Sequence, residues 1–276
     1  MLRRERSRLR SGSALAALAA FAIAFAGCGG SDAGSDDVAA AGTGTVETVD
    51  VSEPVIDDRF AVGGAELAIQ CFGKGSPTVL FEAGTDSNGI GEFNAVMRPL
   101  AHNNMTCTYD RIGTGTSDPP GERRRTMDDL VAVLNQLLEQ ANVEAPYVLV
   151  GSSGGGLLAA RYAGKYRDEV AGVVLLDVGV PNPNLDKEFP GPLGWKNPEH
   201  MDWVDAERRL AEKLTPAGNI PVRIVVASES ETPDQSFWLK LSPRARQTTL
   251  QGGHDIYWDD RTGVVREIRA VLDATQ

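Results

Sequence analysis

A cluster of small residues constrains this chain more than any other stretch of its sequence. The run Gly-Ser-Ser-Gly-Gly-Gly occupies residues 151–156, directly after the apolar segment YVLV and directly before the helix-like segment LLAARYA. A buried strand that turns into a helix within so few residues leaves little room for side chains at the turn. The pattern favours either a bound phosphate or an exposed nucleophile at this point.

Short apolar segments alternate with helical patterns from residue 60 onward. The predicted strands are AELAIQCFG, PTVLFEAG, MTCTYDRIG, YVLVG, VAGVVLLD, VRIVVAS and RQTTLQ. Helices are predicted within TMDDLVAVLNQLLEQANV, where Thr126 can serve as the N-cap, within LLAARYAGKY and DWVDAERRLAEKL, and near the C-terminus. Apolar strands between amphipathic helices predict an α/β fold with a mostly parallel central sheet and helices on both faces.

One segment breaks this alternation. Between residues 178 and 220 the chain is irregular and rich in proline, and it contains Phe189, Trp195, Trp203 and a single helical stretch. Long irregular insertions in compact domains commonly act as lids over a binding site. We therefore expect a lid at about residues 178–220.

Residues 151–155 fit the pattern G-x-S-x-G, with Ser153 at its centre. Glycine two positions on either side of a strained central residue relieves steric crowding and leaves the serine hydroxyl accessible. A P-loop would need a lysine after its four-residue gap, and a dinucleotide site would need glycine where Ser153 stands. Ser153 is therefore the predicted nucleophile, and a glycine-rich turn without chemistry is the alternative.

A serine nucleophile needs a base, and the chain contains three histidines, His102, His200 and His254. His254 lies in LQGGHDIYW, after the last predicted strand and before the C-terminal helix, which gives the order serine, acid, histidine that accompanies this turn. His102 precedes the turn and His200 lies in the lid. His254 is the predicted base, with an incidental surface histidine as the alternative.

The predicted acid is Asp177, which ends the strand VAGVVLLD and so points to the catalytic edge of the sheet. Glu229, Glu231 and Asp234 follow the next strand and remain competing candidates. Asp177 is preferred because no aspartate lies within three residues of the end of that later strand.

Acyl transfer also requires hydrogen-bond donors for the oxyanion that develops on the substrate. One predicted donor is the amide of Gly154, directly after the nucleophile. The other is the amide of Thr85, in the loop after PTVLFEAG, where Gly84 permits a close approach of the backbone. Gly154 and Thr85 are the predicted oxyanion hole.

The first 27 residues predict a signal peptide. Five arginines precede an apolar run from Ala14 to Ala26, which is too short to span a bilayer. Small residues before Cys28 resemble a bacterial lipobox, although Phe25 stands where leucine is usual. We expect export and a lipid anchor at Cys28 on the outer face of the cytoplasmic membrane, with an ordinary secretory signal and a secreted product as the alternative.

Residues 28–55 are mostly small or acidic and predict a flexible tether, which leaves residues 56–276 for the folded domain. The whole chain has a formal net charge of −11, and removal of residues 1–27, with five Arg and one Glu, would make it −15. A chain this acidic is repelled by phosphate backbones. Nucleic-acid binding is therefore not expected.

Cysteine and histidine are scarce in this chain. There is no CxxC motif and there are only three histidines, so no metal site is predicted. Besides Cys28, the chain contains Cys71 and Cys107, an even pair suited to an oxidising compartment. Two free buried thiols are the alternative.

Four segments resemble the α/β-hydrolase superfamily, and they occur in its order: PTVLFEAG, YDRIGTGTSDPP, GSSGGG and GGHD. The second resembles the D-R-x-G-x-G-x-S segment of that family, and the resemblance extends over residues 60–275. It implies the α/β-hydrolase fold with a lid insertion, in an exported bacterial serine hydrolase of the esterase or peptidase-like branches. It also implies that the strands of Cys71 and Cys107 lie close together, so that a disulfide between them is expected.

The sequence departs from that family at two places. Glu82-Ala83 replaces the common His-Gly before the oxyanion loop, and no aspartate follows VRIVVAS at the usual spacing. The Glu82-Ala83 departure lies directly before the loop that would supply Thr85 as the second oxyanion donor. The missing aspartate after VRIVVAS is the reason that Asp177 is the preferred acid.

The expected activity is hydrolysis of a small-molecule carboxylic ester with an apolar part, through an acyl-enzyme on Ser153. No metal or organic cofactor is implied, and the sequence indicates no oligomeric state. Two alternatives remain open, because one fold can host several functions. They are a peptidase-like amide hydrolase and a catalytically silent or non-hydrolytic binding protein of the cell envelope.

Overall fold

The structure, a computed structural model, describes residues 51–85, 87–182, 184–188 and 195–275. The predicted signal peptide, the predicted lipidation site Cys28 and most of the predicted tether lie outside these residues. Within the described ranges, none of the helices combines the length and the apolar character that a membrane span requires.

Eight strands form one sheet with the order β1-β2-β4-β3-β5-β6-β7-β8. The strands are β1 (Ile56–Val62), β2 (Ala65–Phe72), β3 (Thr78–Glu82), β4 (Thr106–Tyr109), β5 (Tyr147–Ser152), β6 (Val170–Leu176), β7 (Val222–Ala227) and β8 (Ala245–Leu250). The pairs β1–β2 and β2–β4 are antiparallel, and every other pair in the sheet is parallel. The sheet is therefore mostly parallel, as predicted.

Helices cover both faces of this sheet. They are α1 (Asn94–Leu100), α2 (Met127–Gln140), α3 (Gly154–Lys165), α4 (Leu185–Glu188), α5 (Trp203–Glu212), α6 (Ile256–Asp259) and α7 (Arg261–Asp273), with short 3₁₀ turns at Arg167–Glu169 and Ser236–Leu241. Helices α2, α3 and α5 pack in one apolar cluster, and α1, α6 and α7 pack in a second one. The result is the three-layer architecture that the sequence predicted.

Strand β5 shows why the central segments read as continuous apolar runs. All six of its residues are buried, because helices cover the sheet on both sides. Tyr147 and Leu149 belong to the cluster around α2 and α3, whereas Val148 and Val150 belong to the cluster around α1 and α7.

Helix α2 begins with the capping box that its sequence predicted. The Thr126 hydroxyl accepts a hydrogen bond from the Asp129 amide, and the Asp129 carboxylate accepts one from the Thr126 amide. These two bonds satisfy donors that the first turn of a helix leaves free.

The antiparallel edge of the sheet contains one strand that was not predicted. In β1, Asp57, Asp58 and Arg59 are all exposed, so the strand lacks the apolar pattern by which the others were recognised. Its neighbour β2 pairs with β4 so that Cys71 lies directly opposite Cys107. Their sulfur atoms are joined at 2.11 Å, which is the disulfide that the family resemblance implied.

The parallel half of the sheet determines where functional residues can meet. Strands β5, β6, β7 and β8 are consecutive neighbours and run in the same direction. Loops that follow parallel strands all emerge at the same edge, where open α/β sheets place their ligands. The long connection from β6 to β7, which contains α4 and α5, begins at this edge.

Candidate active site

Ser153 occupies the turn between β5 and α3. Its backbone has φ 50° and ψ −126°, a region that residues with side chains rarely adopt. The Ser153 amide donates to the carbonyl of Leu176 at 3.1 Å, which fixes the turn against β6. The hydroxyl does not cap α3, and the residue is partly exposed. The strained backbone therefore presents the serine hydroxyl at the carboxyl edge of the sheet.

The glycines around Ser153 have the steric role that the G-x-S-x-G pattern predicts. A Cβ atom on Gly151 would lie 2.6 Å from the Cα of Gly156. A Cβ on Gly155 would lie 2.3 Å from the carbonyl oxygens of both Glu82 and Ala83. These distances leave no space for a side chain, so the turn can form only with glycine at both positions.

Asp177 directly follows β6 and is almost completely buried, with 2% of its surface exposed. Its Oδ1 accepts hydrogen bonds from the Ala227 amide at 3.1 Å and from Gln235 Nε2 at 2.8 Å. Burial alone would raise the pKa of Asp177, but hydrogen bonds from His254, Ser230, Ala227 and Gln235 hold it below its usual value. The carboxyl group is therefore ionised at neutral pH.

His254 lies in the loop between β8 and α6, and its Nδ1 is 2.8 Å from Asp177 Oδ2. This hydrogen bond raises the pKa of His254, burial opposes the rise, and the charges of Asp177, Asp255 and Glu231 reinforce it. The His254 side chain remains 55% exposed. With Nδ1 engaged by the carboxylate, Nε2 is the ring nitrogen left to exchange a proton with a substrate or a nucleophile.

The structure brings Asp177 and His254 into direct contact, but among the described residues no hydrogen bond joins the Ser153 hydroxyl to the His254 ring. Catalytic hydrogen bonds are often long in unliganded enzymes and shorten when a substrate binds. The competing acids Glu229, Glu231 and Asp234 are all exposed, and none of them bonds to His254. Asp177 is the carboxylate that the histidine contacts.

Thr85 and Gly154, the predicted oxyanion donors, lie against each other. A Cβ on Gly154 would lie 2.2 Å from Thr85 Oγ1 and 3.3 Å from the Thr85 amide nitrogen, so glycine is required for this approach. The same Cβ would lie 3.3 Å from the Trp203 ring of α5. Within the described part of the chain, neither amide donates a backbone hydrogen bond outside the regular elements. A Cβ on Gly84 would lie 3.5 Å from Ser153 Cβ, so the Gly84–Thr85 loop adjoins the serine turn.

Arg111 is the centre of a buried ionic cluster that the sequence analysis did not assign to the site. Its Nε and Nη2 donate to the two carboxylate oxygens of Glu199, from the segment before α5, at 2.7 and 2.8 Å. Its Nη1 lies 3.6 Å from Glu82 Oε2, and Tyr109 donates to Glu82 Oε1 at 2.8 Å. Arg111, Glu82 and Glu199 are exposed by 2%, 1% and 0%. We call these four residues the buried ionic cluster.

The buried ionic cluster has more acid than base. Burial raises the pKa of Glu82 to about 7, although Arg111 and the Tyr109 hydroxyl act to lower it. Burial would lower the pKa of Arg111, but Glu199 and Glu82 raise it overall, so the guanidinium stays charged. One guanidinium faces two carboxyl groups, and burial opposes the ionisation of Glu82.

Asp110 explains the D-R-x-G-x-G-x-S segment in structural terms. Its carboxylate accepts hydrogen bonds from the amides of Gly89 and Ile90 at 3.0 Å and from the amide of Thr116 at 2.8 Å. Gly115 has φ 51°, and a Cβ there would lie 2.0 Å from Asp110 Oδ2. Asp110 thus ties the loop at Gly89 and Ile90 to the loop at Thr116.

A cavity of about 430 Å³ adjoins Asp177 and His254. Its other lining residues are Gly179, Glu229, Ser230, Glu231 and Thr232. Across the described ranges, no three side chains of His, Cys, Asp or Glu are grouped closely enough to hold a metal ion.

The fold and this arrangement define a class of protein. A family model described as alpha/beta hydrolase fold matches residues 79–214, which begin within β3 and include Ser153, Asp177 and α5. The eight-stranded sheet, the strained serine turn and the histidine loop after the last strand agree with that match. The chain belongs to the α/β-hydrolase superfamily.

Three proteins to which the chain is similar share little of its sequence. The chain is 26% identical over 205 residues to the uncharacterized protein YqjL of Bacillus subtilis, covering 68% of this chain and 80% of that protein. It superposes on a thermophilic esterase from Thermogutta terrifontis with a TM-score of 0.62 and 22% identity, covering 81% of this chain and 99% of that one. It superposes on an epoxide hydrolase mutant from Vigna radiata with a TM-score of 0.66 and 13% identity, covering 80% of this chain and 99% of that one. At these identities the two solved structures establish the fold alone.

Proposed function

We propose that this protein is a serine hydrolase that cleaves carboxylic esters through an acyl-enzyme on Ser153. One observation carries the proposal: a serine held in a strained turn shares a sheet edge with a histidine that is hydrogen-bonded to a buried carboxylate. These are the three groups that nucleophilic acyl transfer requires. The adjacent Gly154 and Thr85 amides would stabilise the oxyanion.

The reaction proceeds in two halves. Ser153 Oγ bonds to the ester carbonyl carbon while its proton passes to His254 Nε2, and the carbonyl oxygen becomes an oxyanion near the amides of Gly154 and Thr85. The oxyanion collapses, the C–O bond to the alcohol breaks, and His254 gives its proton to the departing alkoxide. Water then attacks the acyl-enzyme in the same manner and releases the acid and Ser153. Asp177 stays ionised throughout and stabilises the imidazolium.

Two indirect observations favour an ester as the substrate. One structural neighbour is an esterase by its own description, although the likeness in itself concerns only the fold. The Trp203 ring lies beside Gly154 and is almost completely buried, so an aromatic side chain packs next to the proposed oxyanion donor. A small ester with an apolar part fits this combination of a polar reaction centre and an aromatic neighbour.

A fluorophosphonate probe tests the nucleophile. We expect the purified protein to be labelled, Ser153→Ala to abolish labelling and ester turnover, and Ser152→Ala to retain both. Ser152 is a matched control because it is the adjacent serine, is buried, and lies one position away from the centre of the motif. A wild-type protein with neither labelling nor turnover would instead support a silent binding protein of the same fold.

A substrate panel separates ester from amide hydrolysis. p-Nitrophenyl esters of increasing acyl chain length would be compared with aminoacyl p-nitroanilides under the same conditions. We expect turnover of the esters and at most a trace with the anilides. Faster turnover of the anilides than of the esters would identify a peptidase-like amide hydrolase.

Export to the cell envelope with a lipid anchor at Cys28 completes the proposal. It is supported by the charged and apolar pattern of residues 1–27, and the Cys71–Cys107 disulfide suits an oxidising compartment. Mass spectrometry of the mature N-terminus from a bacterial host would show a lipidated Cys28, and Cys28→Ser should release the protein from the membrane fraction. A mature N-terminus at another residue would indicate an ordinary secreted product.

A further inference from the structure

Arg111 contacts the backbone that carries the proposed second oxyanion donor. Its Nη1 donates to the carbonyl oxygen of Ala83 at 2.7 Å, and its Nη2 donates to the carbonyl oxygen of Gly84 at 2.6 Å. The Gly84 carbonyl and the Thr85 amide belong to the same peptide group. The guanidinium therefore binds directly to the group whose N–H would stabilise the oxyanion.

Peptide geometry converts this contact into a constraint on the Thr85 N–H. A trans peptide is planar, and its C=O and N–H bonds point in opposite directions. Fixing the Gly84 oxygen with a charged donor on one side thus fixes the direction of the Thr85 hydrogen on the other side. A charged donor on the carbonyl also polarises the amide, because hydrogen bonds along one peptide group strengthen one another.

The position of Arg111 depends in turn on the connection between β6 and β7. Glu199 binds the guanidinium through two parallel hydrogen bonds, the geometry that best fixes the plane of an arginine. Glu199 lies four residues before α5, whose first residue, Trp203, lies beside Gly154. The same segment thus reaches both proposed oxyanion donors, one through Arg111 and the other through the Trp203 ring.

We propose that Arg111 is a positioning residue that orients and polarises the Gly84–Thr85 peptide for oxyanion binding, and that Glu199 holds Arg111 in this role. The oxyanion hole is then complete only when the segment around Glu199 is in place and Glu199 binds Arg111. This inference rests on the proposed hydrolase function and deepens it. A buried cluster that served only to stabilise the fold would not favour the transition state over the bound substrate.

The first arm of the test uses the wild-type protein. Labelling by a fluorophosphonate, with Ser153→Ala as the control, establishes whether the hydrolase function holds before the inference is judged. A trifluoromethyl ketone is then added to protein labelled with ¹⁵N, so that a tetrahedral oxyanion forms on Ser153. We expect the amide proton signals of Thr85 and Gly154 to move downfield. If Thr85 does not respond while Gly154 does, the inference is wrong and the hydrolase function stands.

The second arm uses Glu199→Gln and Arg111→Lys. Glutamine keeps one acceptor for Arg111 and loses the other, while lysine keeps the charge but cannot span both carbonyls and the carboxylate. We expect kcat to fall roughly 10-fold to 100-fold with KM nearly unchanged, since complete removal of an oxyanion donor costs about 100-fold to 1000-fold. The inhibition constant of the trifluoromethyl ketone should rise by the same factor.

Asp202→Asn is the matched control for loss of a charge in the same segment. Asp202 pairs with Arg124 and caps α5, and asparagine keeps the cap while it removes the ion pair. We expect kcat within twofold of wild type for this variant. If Asp202→Asn lowers kcat as much as Glu199→Gln, or if Glu199→Gln raises KM and leaves kcat unchanged, the positioning role is wrong. Should both cluster variants fail to fold, a Thr85 amide signal that does not respond to the ketone in the wild-type protein still overturns the inference.

Discussion

The two halves of the candidate site are built in different ways. On the side of the histidine, Asp177 is buried but His254 is 55% exposed, and among the described residues one side-chain hydrogen bond, to Asp177, holds its ring. On the side of the oxyanion, Arg111, Glu82 and Glu199 are almost fully buried, and Arg111 alone donates four hydrogen bonds. One half is open to solvent, and the other is enclosed in the core.

This difference suits the task of each half. A general base must gain and release protons during each turnover, so an exposed ring with one fixed nitrogen can perform its role while it titrates. Oxyanion donors stabilise charge best when they are already oriented and need no rearrangement. We therefore expect changes on the histidine side to alter activity more than stability, and changes in the buried ionic cluster to alter stability as well.

The largest expected effect lies on the histidine side. Asp177→Asn should lower kcat by about four orders of magnitude, because an amide NH₂ facing Nδ1 favours the wrong tautomer of His254. Stability should change little, since asparagine tolerates the φ of 45° at this position and can still accept from Ala227 and Gln235.

Steady-state kinetics with a p-nitrophenyl ester, together with chemical denaturation, would check this prediction. Asp234→Asn is the control, because Asp234 was a competing acid and is exposed. A large loss of activity in Asp234→Asn, with Asp177→Asn nearly intact, would reverse the assignment of the acid.

The second effect lies in the buried ionic cluster. Arg111→Met would leave Glu82 and Glu199 without their cationic partner, and breaking a buried pair in this way costs about 3–5 kcal/mol of unfolding free energy. Arg161→Met is the control, because Arg161 pairs with Asp128 where both side chains are accessible, and such pairs contribute less than about 1 kcal/mol.

Urea denaturation of both variants measures the difference. Equal losses in Arg111→Met and Arg161→Met would contradict the contrast between the enclosed and the open half of the site.

The serine turn could be predicted because its causes are local. Gly151 and Gly155 are required by contacts within the turn and with the adjacent strand β3, so the spacing in the sequence carries the information. The helix after the turn was less well placed. In the structure α3 begins at Gly154, whereas the apolar pattern predicted a start at Leu157. The prediction missed the first turn because glycine is a poor helix former and does not indicate a helix.

The buried ionic cluster could not be predicted because its contacts are distant along the chain. Arg111 and Glu199 are 88 residues apart, and Glu82 ends a strand whose five residues are all buried. The sequence did contain one sign of the cluster, because Glu82-Ala83 replaces the usual His-Gly pair. That sign can be interpreted only once Arg111 is known to lie beside Glu82. The acid that contacts His254 could likewise not be chosen from the sequence alone. The choice between Asp177 after β6 and the three acids after β7 depends on how both loops run in three dimensions.

The third prediction concerns the pH dependence of stability. The pKa of Glu82 rises from 4.5 to about 7 on folding, so the folded state binds this proton more tightly than the unfolded state does. Its contribution to stability is therefore complete below pH 4.5 and is lost as the pH rises through about 7, a change of up to about 3 kcal/mol.

Glu82→Gln should remove this decline between pH 4.5 and about 7, whatever its effect on stability at low pH. Urea denaturation of both proteins at several pH values provides the measurement. A wild-type stability that rises steadily over this range and is unchanged in slope by Glu82→Gln would show that the carboxyl group is ionised throughout.

The smallest expected effect concerns the exposed half of the candidate site, on the side of His254. Glu231 is exposed, and its charge helps to raise the pKa of His254, so Glu231→Gln should lower that pKa. The acidic limb of the kcat/KM profile should then move to lower pH by about a few tenths of a unit, and the shift should vanish in 1 M salt, where charges are screened within about 3 Å. Glu229→Gln is the control, because Glu229 lines the same cavity but is not among the main causes of the raised pKa of His254. Activity on the plateau above the limb should change less than twofold in both variants, since neither glutamate contacts the ring. A loss of several orders of magnitude in Glu231→Gln would mean that Glu231, and not Asp177, supports His254 during turnover.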